Sequence, residues 1–160
     1  MRELDFSNRN VLVVGGSGGI GNGIARTFLE RGAVVHVWGT RPLAKDYAAE
    51  TGSTLDGLGY SQVDVADAAA VGAWQSPFDT LDIAVLCQGA VLYNRGEFSV
   101  EGFRKVVEIN LNSLMICALR IRPLLASSRG CLIIVSSTAA YRATLGNPAY
   151  GASKAGAMAL

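Results

Sequence analysis

The chain has 160 residues, half of them hydrophobic and 17% charged, which is the size of one domain and too apolar for disorder. A net charge of +1 gives no reason to expect a nucleic acid or an anionic membrane as a partner. The 19 glycines follow no collagen-like period, so they mark turns and close backbone approaches.

The start, Met1-Arg2-Glu3-Leu4-Asp5, carries two acids where a secretory signal would be basic and then apolar. No apolar run approaches the ~20 residues that a membrane helix needs. Cys87, Cys117 and Cys131 sit in apolar segments without metal-ligand spacing, and are expected reduced and buried. A soluble cytoplasmic protein is the expectation.

Val11-Leu12-Val13-Val14 is a β-branched run without polar alternation, the pattern of a parallel strand buried on both faces. A glycine cluster follows. Ile20, Ile24, Ala25, Phe28 and Leu29 then recur at helical spacing until Gly32 stops the helix. Val34 to Trp38 is the second strand, so the chain opens as strand, helix, strand. Pro42 to about Glu50 predicts a short helix opened by proline. Leu58 to Val63 can be a third strand, although Gly57 and Gly59 weaken it. Asp67 to Trp74 predicts a short helix and Leu81 to Cys87 a fourth strand. Val100 to about Leu125 reads as helical, ending near Pro123, with a junction of two helices near Asn110. Cys131 to Val135 is a fifth strand, and Ala149 to Leu160 begins a last helix. Right-handed crossovers give an α/β, Rossmann-type doubly wound parallel sheet of order 3-2-1-4-5, one domain over residues 1–160. The last helix is small and apolar and ends without a polar tail. It predicts a chain that continues into a substrate-covering part, or a partner that covers the helix.

Gly15-Gly16-Ser17-Gly18-Gly19-Ile20-Gly21 lies between a buried strand and a helix N-terminus. Unpaired N–H groups and the helix dipole favour an anion there, and glycines let a pyrophosphate approach. Five glycines in seven residues exceed what a turn requires. Several dinucleotide-binding spacings fit at once, and a Walker-type loop is excluded because no Gly-Lys-Ser/Thr follows. After the second strand the segment reads Trp38-Gly39-Thr40-Arg41, with no acid to hold ribose hydroxyls. An arginine there can pair with a 2′-phosphate, so NADP is favoured over NAD. A solvated loop charge is the other reading of Arg41.

Tyr150 and Lys154 are four apart, one turn on one helical face. A free phenol has a pKa of about 10, and a nearby ammonium favours the phenolate. The pair can act as a tuned acid and base. Ser137, at the end of the fifth strand, lies thirteen positions before Tyr150, and Asn110 lies twenty-seven before Ser137.

At these residues the chain resembles the short-chain dehydrogenase/reductase family in its compact single-domain branch. Gly15, Gly19 and Gly21 match the cofactor loop, in which Ser17, Gly18 and Ile20 also sit. Asp64-Val65 matches the pair beside the adenine. Asn110, Ser137, Tyr150 and Lys154 match the catalytic set in order and spacing. The resemblance implies hydride transfer at the nicotinamide C4. Tyr150 would donate the proton to a carbonyl oxygen and Ser137 would hydrogen-bond that oxygen. Lys154 would hold the nicotinamide ribose and lower the tyrosine pKa. Asn110 would interrupt its helix and hold a water linking Lys154 to solvent. Cofactor contacts are expected from the glycine loop, Thr40, Arg41, Asp64, Val65, Gly89, Tyr150 and Lys154. There are departures. Val14 stands where the family usually has threonine. Leu86-Cys87-Gln88-Gly89 replaces its Asn-Asn-Ala-Gly stretch, keeping Gly89.

Two other classes compete. A non-catalytic dinucleotide-binding module or sensor would keep the glycine loop without needing the catalytic set. The longer epimerase/dehydratase branch fits one glycine spacing, but the resemblance implies a longer Ser-to-Tyr separation and an acid after the second strand. The partners expected are a small carbonyl or alcohol substrate and copies of the chain in a dimer or tetramer. The helices near 110–125 and 150–160 would pack together in it. Val91–Gly96 and Ala139–Asn147 would shape the pocket, with Leu92, Tyr93, Tyr141 and Leu145 as an apolar wall. His36, inside a strand, has no assigned role.

Overall fold

The computed structural model describes residues 4–143 and 145–160. Met1 to Glu3, part of the segment read for a secretory signal, and Thr144, within the pocket-shaping stretch 139–147, lie outside the described residues.

Among the described residues five strands form: β1 (Asn10–Val14), β2 (Val34–Gly39), β3 (Gly59–Gln62), β4 (Ile83–Leu86) and β5 (Cys131–Ile134). All pair in parallel, in the order β3-β2-β1-β4-β5. The central strand explains the unbroken apolar run. Val11 and Val13 project to one face and Leu12 and Val14 to the other, and all four are fully buried. On the first face α1 (Gly19–Glu30) packs through Ile24, Ala25, Phe28 and Leu29. The second face takes α2 (Ala68–Ala73), α4 (Ser113–Ser128) and α5 (Pro148–Ala159), through Val71, Leu114, Cys117, Ile121, Leu125 and Ala157. The doubly wound sheet read from the sequence is the one observed.

Three local expectations change, and the junction near Asn110 is found and takes a specific form. Pro42–Glu50 does not form a helix, only a 3-10 turn over Ala44–Tyr47. The Tyr47 hydroxyl accepts the N–H groups of Thr40 (2.9 Å) and Arg41 (3.1 Å), which winds the segment back over the end of β2. Pro123 does not end its helix. The proline ring deprives the Leu119 carbonyl of a donor, but Leu119 is exposed and water can replace it. The helix stops at Arg129, in the left-handed conformation (φ 56°), where Gly130 N–H reaches the Leu125 carbonyl at 2.8 Å. The junction at Asn110 is a π-helical turn, Glu108–Asn112, between α3 (Val100–Val107) and α4, so 100–128 is one continuous helical stretch. By length and composition alone this stretch could cross a membrane, whereas the sequence reading found no apolar run of that length. In the fold its apolar face lies on the sheet.

The cysteines also differ from expectation. All three are free thiols, but only Cys117 is buried, and burial pushes its thiol up to about 12. Cys87 is half-buried and Cys131 is exposed. Cys131 opens β5, which has a hydrogen-bonded neighbour on one side only among the described residues.

Candidate active site

The turn after β1 is shaped by close backbone packing. Gly15 takes φ +74°, and a Cβ there would stand 2.9 Å from the Gln88 backbone. A Cβ at Gly21 would stand 2.2 Å from the Gly15 carbonyl oxygen. Side chains at either position would push the first turn of α1 away from the sheet edge. The N-cap of α1 is Gly18, with no side-chain cap bond and no acid in the first turn. Its N–H groups and positive dipole end are left for an anionic ligand. The residues present thus fit the pyrophosphate of a dinucleotide.

This turn forms one wall of a cleft of about 640 Å³ at the C-terminal edge of the sheet. The cleft brings together Gly15, Ser17, Gly18, Ile20, Gly21, Thr40, Asp64, Val65, Gly89, Tyr150 and Lys154. Of the other residues singled out in the sequence, Gly19, Arg41, Asn110 and Ser137 do not line it. Arg41 is engaged elsewhere: its guanidinium pairs with Glu50, donates to the Asp46 carbonyl and lies 4.7 Å from the centre of the Tyr47 ring. Ser137 lies just past β5, where its hydroxyl accepts from Ala139 N–H at 3.2 Å and caps a 3-10 turn. Its neighbour Ser136 does line the cleft, and donates to the Lys154 carbonyl at 2.8 Å.

Lys154 is 5% exposed, and its Nζ donates to the Val135 carbonyl at 2.9 Å. Nζ stands 5.8 Å from the centre of the Tyr150 ring. Burial holds the lysine pKa below its usual value, and the Cys87 thiol beside it works slightly the other way. Asn110 is fully buried in the π-helical turn. Its Oδ1 accepts from Ala90 N–H (2.7 Å), and its Nδ2 donates to the Ala90 carbonyl (2.9 Å) and to Ser153 Oγ (3.2 Å). One amide therefore straps the loop after β4 to α5. A Cβ on Gly89 would lie 3.7 Å from Asn110 Oδ1 and 3.8 Å from Lys154 Nζ. A phenol, a buried ammonium and a glycine anion cradle share one cleft, an arrangement that can hold a nucleotide and move a proton beside it.

A profile of the short chain dehydrogenase family matches residues 9–160. The chain belongs to this family. It is 34% identical over 160 residues to a 3-oxoacyl-(acyl-carrier-protein) reductase FabG of Chlamydia trachomatis, covering 93% of this chain and 63% of that protein. It is 30% identical over 158 residues to a 2-dehydro-3-deoxy-L-rhamnonate dehydrogenase (NAD(+)) of a Sphingomonas species, covering 94% and 62%. Among solved structures, a putative short-chain alcohol dehydrogenase from Sinorhizobium meliloti superposes with a TM-score of 0.79 at 26% identity, over 97% of this chain and 64% of that one. The chain thus spans less than two thirds of the length of these relatives.

Within this short-chain dehydrogenase fold, three site-building residues escaped sequence reasoning. Glu97 is 1% exposed. Its carboxylate accepts from Leu92 N–H (3.2 Å), Asn147 Nδ2 (3.2 Å) and the N–H of Tyr150 itself (2.9 Å). Asn147, the N-cap of α5, makes no side-chain cap bond, so a carboxylate from a distant segment caps that helix and opposes its dipole. Nothing in its polar sequence neighbourhood, Asn94-Arg95-Gly96-Glu97-Phe98-Ser99, signalled it. Ser153, between the two reactive positions, receives Asn110 and donates to the Tyr150 carbonyl at 2.8 Å. Gln88 lines the cleft, and its Nε2 reaches Ser113 Oγ at 3.0 Å. Of the apolar wall, Tyr93 lines the cleft, Tyr141 borders a separate shallow hollow beside α5, and Leu145 is fully exposed.

Proposed function

We propose that the protein is a nicotinamide-dependent oxidoreductase that interconverts a carbonyl compound and the corresponding secondary alcohol. The observation that carries this reading is the Tyr150 and Lys154 pair, which lines the same cleft as the uncapped N-terminus of α1. A bound nicotinamide dinucleotide supplies the hydride donor or acceptor. The chain's own residues do the rest. Gly15, Gly18 and Gly21 admit the pyrophosphate, and Asp64 and Val65 border the adenosine end. The Tyr150 hydroxyl donates the proton to the substrate oxygen in reduction and removes it in oxidation. The Lys154 ammonium favours the phenolate and binds the nicotinamide ribose. Ser137 hydrogen-bonds the substrate oxygen as charge develops. Asn110 fixes the loop at Gly89 and Ala90 that borders this space. Ser137 acts in this scheme after a small turn toward the cleft from its present bond to Ala139.

The single domain, its cytoplasmic location and its assembly belong to the same reading. Phe103, Met115, Leu119 and Met158 are exposed on the helices around the site, and we assign them to contacts between copies of the chain in a homo-oligomer.

Incubating the full-length protein with NADH or NADPH and a panel of ketones, and following absorbance at the nicotinamide band, tests the reading. Turnover with at least one ketone is the expected outcome. Tight dinucleotide binding with no turnover across the panel would replace it with a non-catalytic binding module.

A further inference from the structure

We infer that Tyr47 sets the cofactor preference: its hydroxyl fills the pair of backbone N–H groups at the end of β2, so the cleft favours a dinucleotide with a free adenosine 2′-hydroxyl over one with a 2′-phosphate. The inference rests on the dinucleotide reading above and deepens it. It also reverses the preference read from Arg41 in the sequence.

Gly39 and Thr40 line the cleft where β2 ends, the place at which this fold class reads the adenosine ribose. The amides of Thr40 and Arg41 are consecutive donors that converge on one oxygen, Tyr47 Oη, at 2.9 and 3.1 Å. Two successive amides aimed at one point form a notch suited to an anion. The chain closes this notch with its own phenol, which is 6% exposed. A Cβ on Gly39 would lie 2.6 Å from Tyr47 Oη and 2.7 Å from Ser17 Oγ. Both hydroxyls therefore press on the same side of Gly39, and no room remains there for a phosphate. Burial works against ionisation of Tyr47, but hydrogen bonds from Ser17, the Arg41 amide and Thr40 outweigh it and bring the phenol down to about 8.

Arg41, the cation that a 2′-phosphate would need, is committed to Glu50 and to the Asp46 carbonyl, and stacks on the Tyr47 ring. The Tyr60 hydroxyl donates to the Arg41 carbonyl and fixes the backbone at this point. The Arg41–Glu50 pair is part-exposed and weak by itself. The buried phenol is the stronger barrier, because it cannot turn to solvent without abandoning both amides.

Titration calorimetry of the full-length protein with NADH and with NADPH tests this. The wild type is expected to bind NADH about tenfold or more tighter than NADPH. Tyr47→Phe should tighten NADPH about tenfold and leave NADH within about threefold. Should that variant fail to fold by circular dichroism, two surface variants decide. Glu50→Gln, which frees the guanidinium, should tighten NADPH a few-fold. Arg41→Ala should leave wild-type NADPH affinity within about twofold. Equal or tighter binding of NADPH by the wild type, or a selective tenfold loss of NADPH in Arg41→Ala, overturns the inference while the dinucleotide reading stands. Binding of neither dinucleotide removes that reading and the inference together.

Discussion

Lys154 carries an ammonium into a cleft where it is almost wholly buried, held by the Val135 carbonyl just past β5. Its spacing from Tyr150 was legible in the sequence; its burial and its bond to Val135 were not, because both depend on how α5 lies across the strand end. Removing a buried charge while keeping the chain length should not harm the fold. Lys154→Met is therefore expected to melt within a few degrees of the wild type and to lose about 100-fold or more in kcat/KM. A fully active variant would separate Lys154 from the chemistry. His36 illustrates the opposite case, a titratable residue with a purely structural signature. Burial lowers its imidazole to about 4, from 6.5, and its Nε2 meets Ser61 Oγ at 2.8 Å. Between those pH values the unfolded chain takes up a proton that the folded chain refuses. The contribution is complete above pH 6.5 and is lost as the pH falls toward 4. The melting temperature should drop by several degrees across that window, with the imidazole still neutral by NMR at pH 5. An imidazole titrating near 6.5 in the folded protein would contradict this.

The elements were readable wherever one requirement dominated. Val11 to Val14 of β1 had to be apolar because helices cover both faces, and the sequence shows it. Gly59 weakened the reading of β3, yet it belongs there. It pairs with His36, and a Cβ on it would stand 2.4 Å from His36 Nδ1. Glycine in that strand makes room for a neighbour's ring, a reason invisible in β3 alone. The segment after Pro42 misled because Tyr47 spends its hydroxyl on backbone amides six and seven residues earlier. The cap of α5 was hidden for a related reason, since Glu97 reaches Tyr150 across more than fifty residues. Glu97→Ala would leave the Tyr150 and Leu92 N–H groups buried without their partner, a destabilisation of about 2 to 4 kcal/mol. Glu97→Gln keeps one carbonyl oxygen and should lose about half of that. Chemical denaturation of the three proteins measures it, and an Ala variant as stable as the wild type would show that the carboxylate does not hold the helix.

For the molecule as a whole, the sheet order followed from the alternation of strands and helices, and the cleft followed from the sheet order. Eleven of the catalytic and cofactor-binding positions expected from the sequence line one cavity because they end adjacent strands or lie on the helices that follow them. The supporting residues Ser153, Glu97 and Gln88 were not legible, since they act through contacts between segments far apart in the chain. The exposed apolar side chains of Met115, Leu119 and Met158 give the proposed assembly its surface. Light scattering of the full-length protein should give a multiple of the monomer mass. A monomer at micromolar concentration would leave those side chains without the assigned role.

The central claim is that Tyr150 moves the proton in a dinucleotide-dependent carbonyl reduction. Its most direct test is Tyr150→Phe, which removes one hydroxyl and keeps the ring. The variant should bind the dinucleotide with the affinity of the wild type and lose about 100-fold or more in kcat on a ketone that the wild type reduces. Unchanged kcat in a variant that binds the dinucleotide normally would contradict the account.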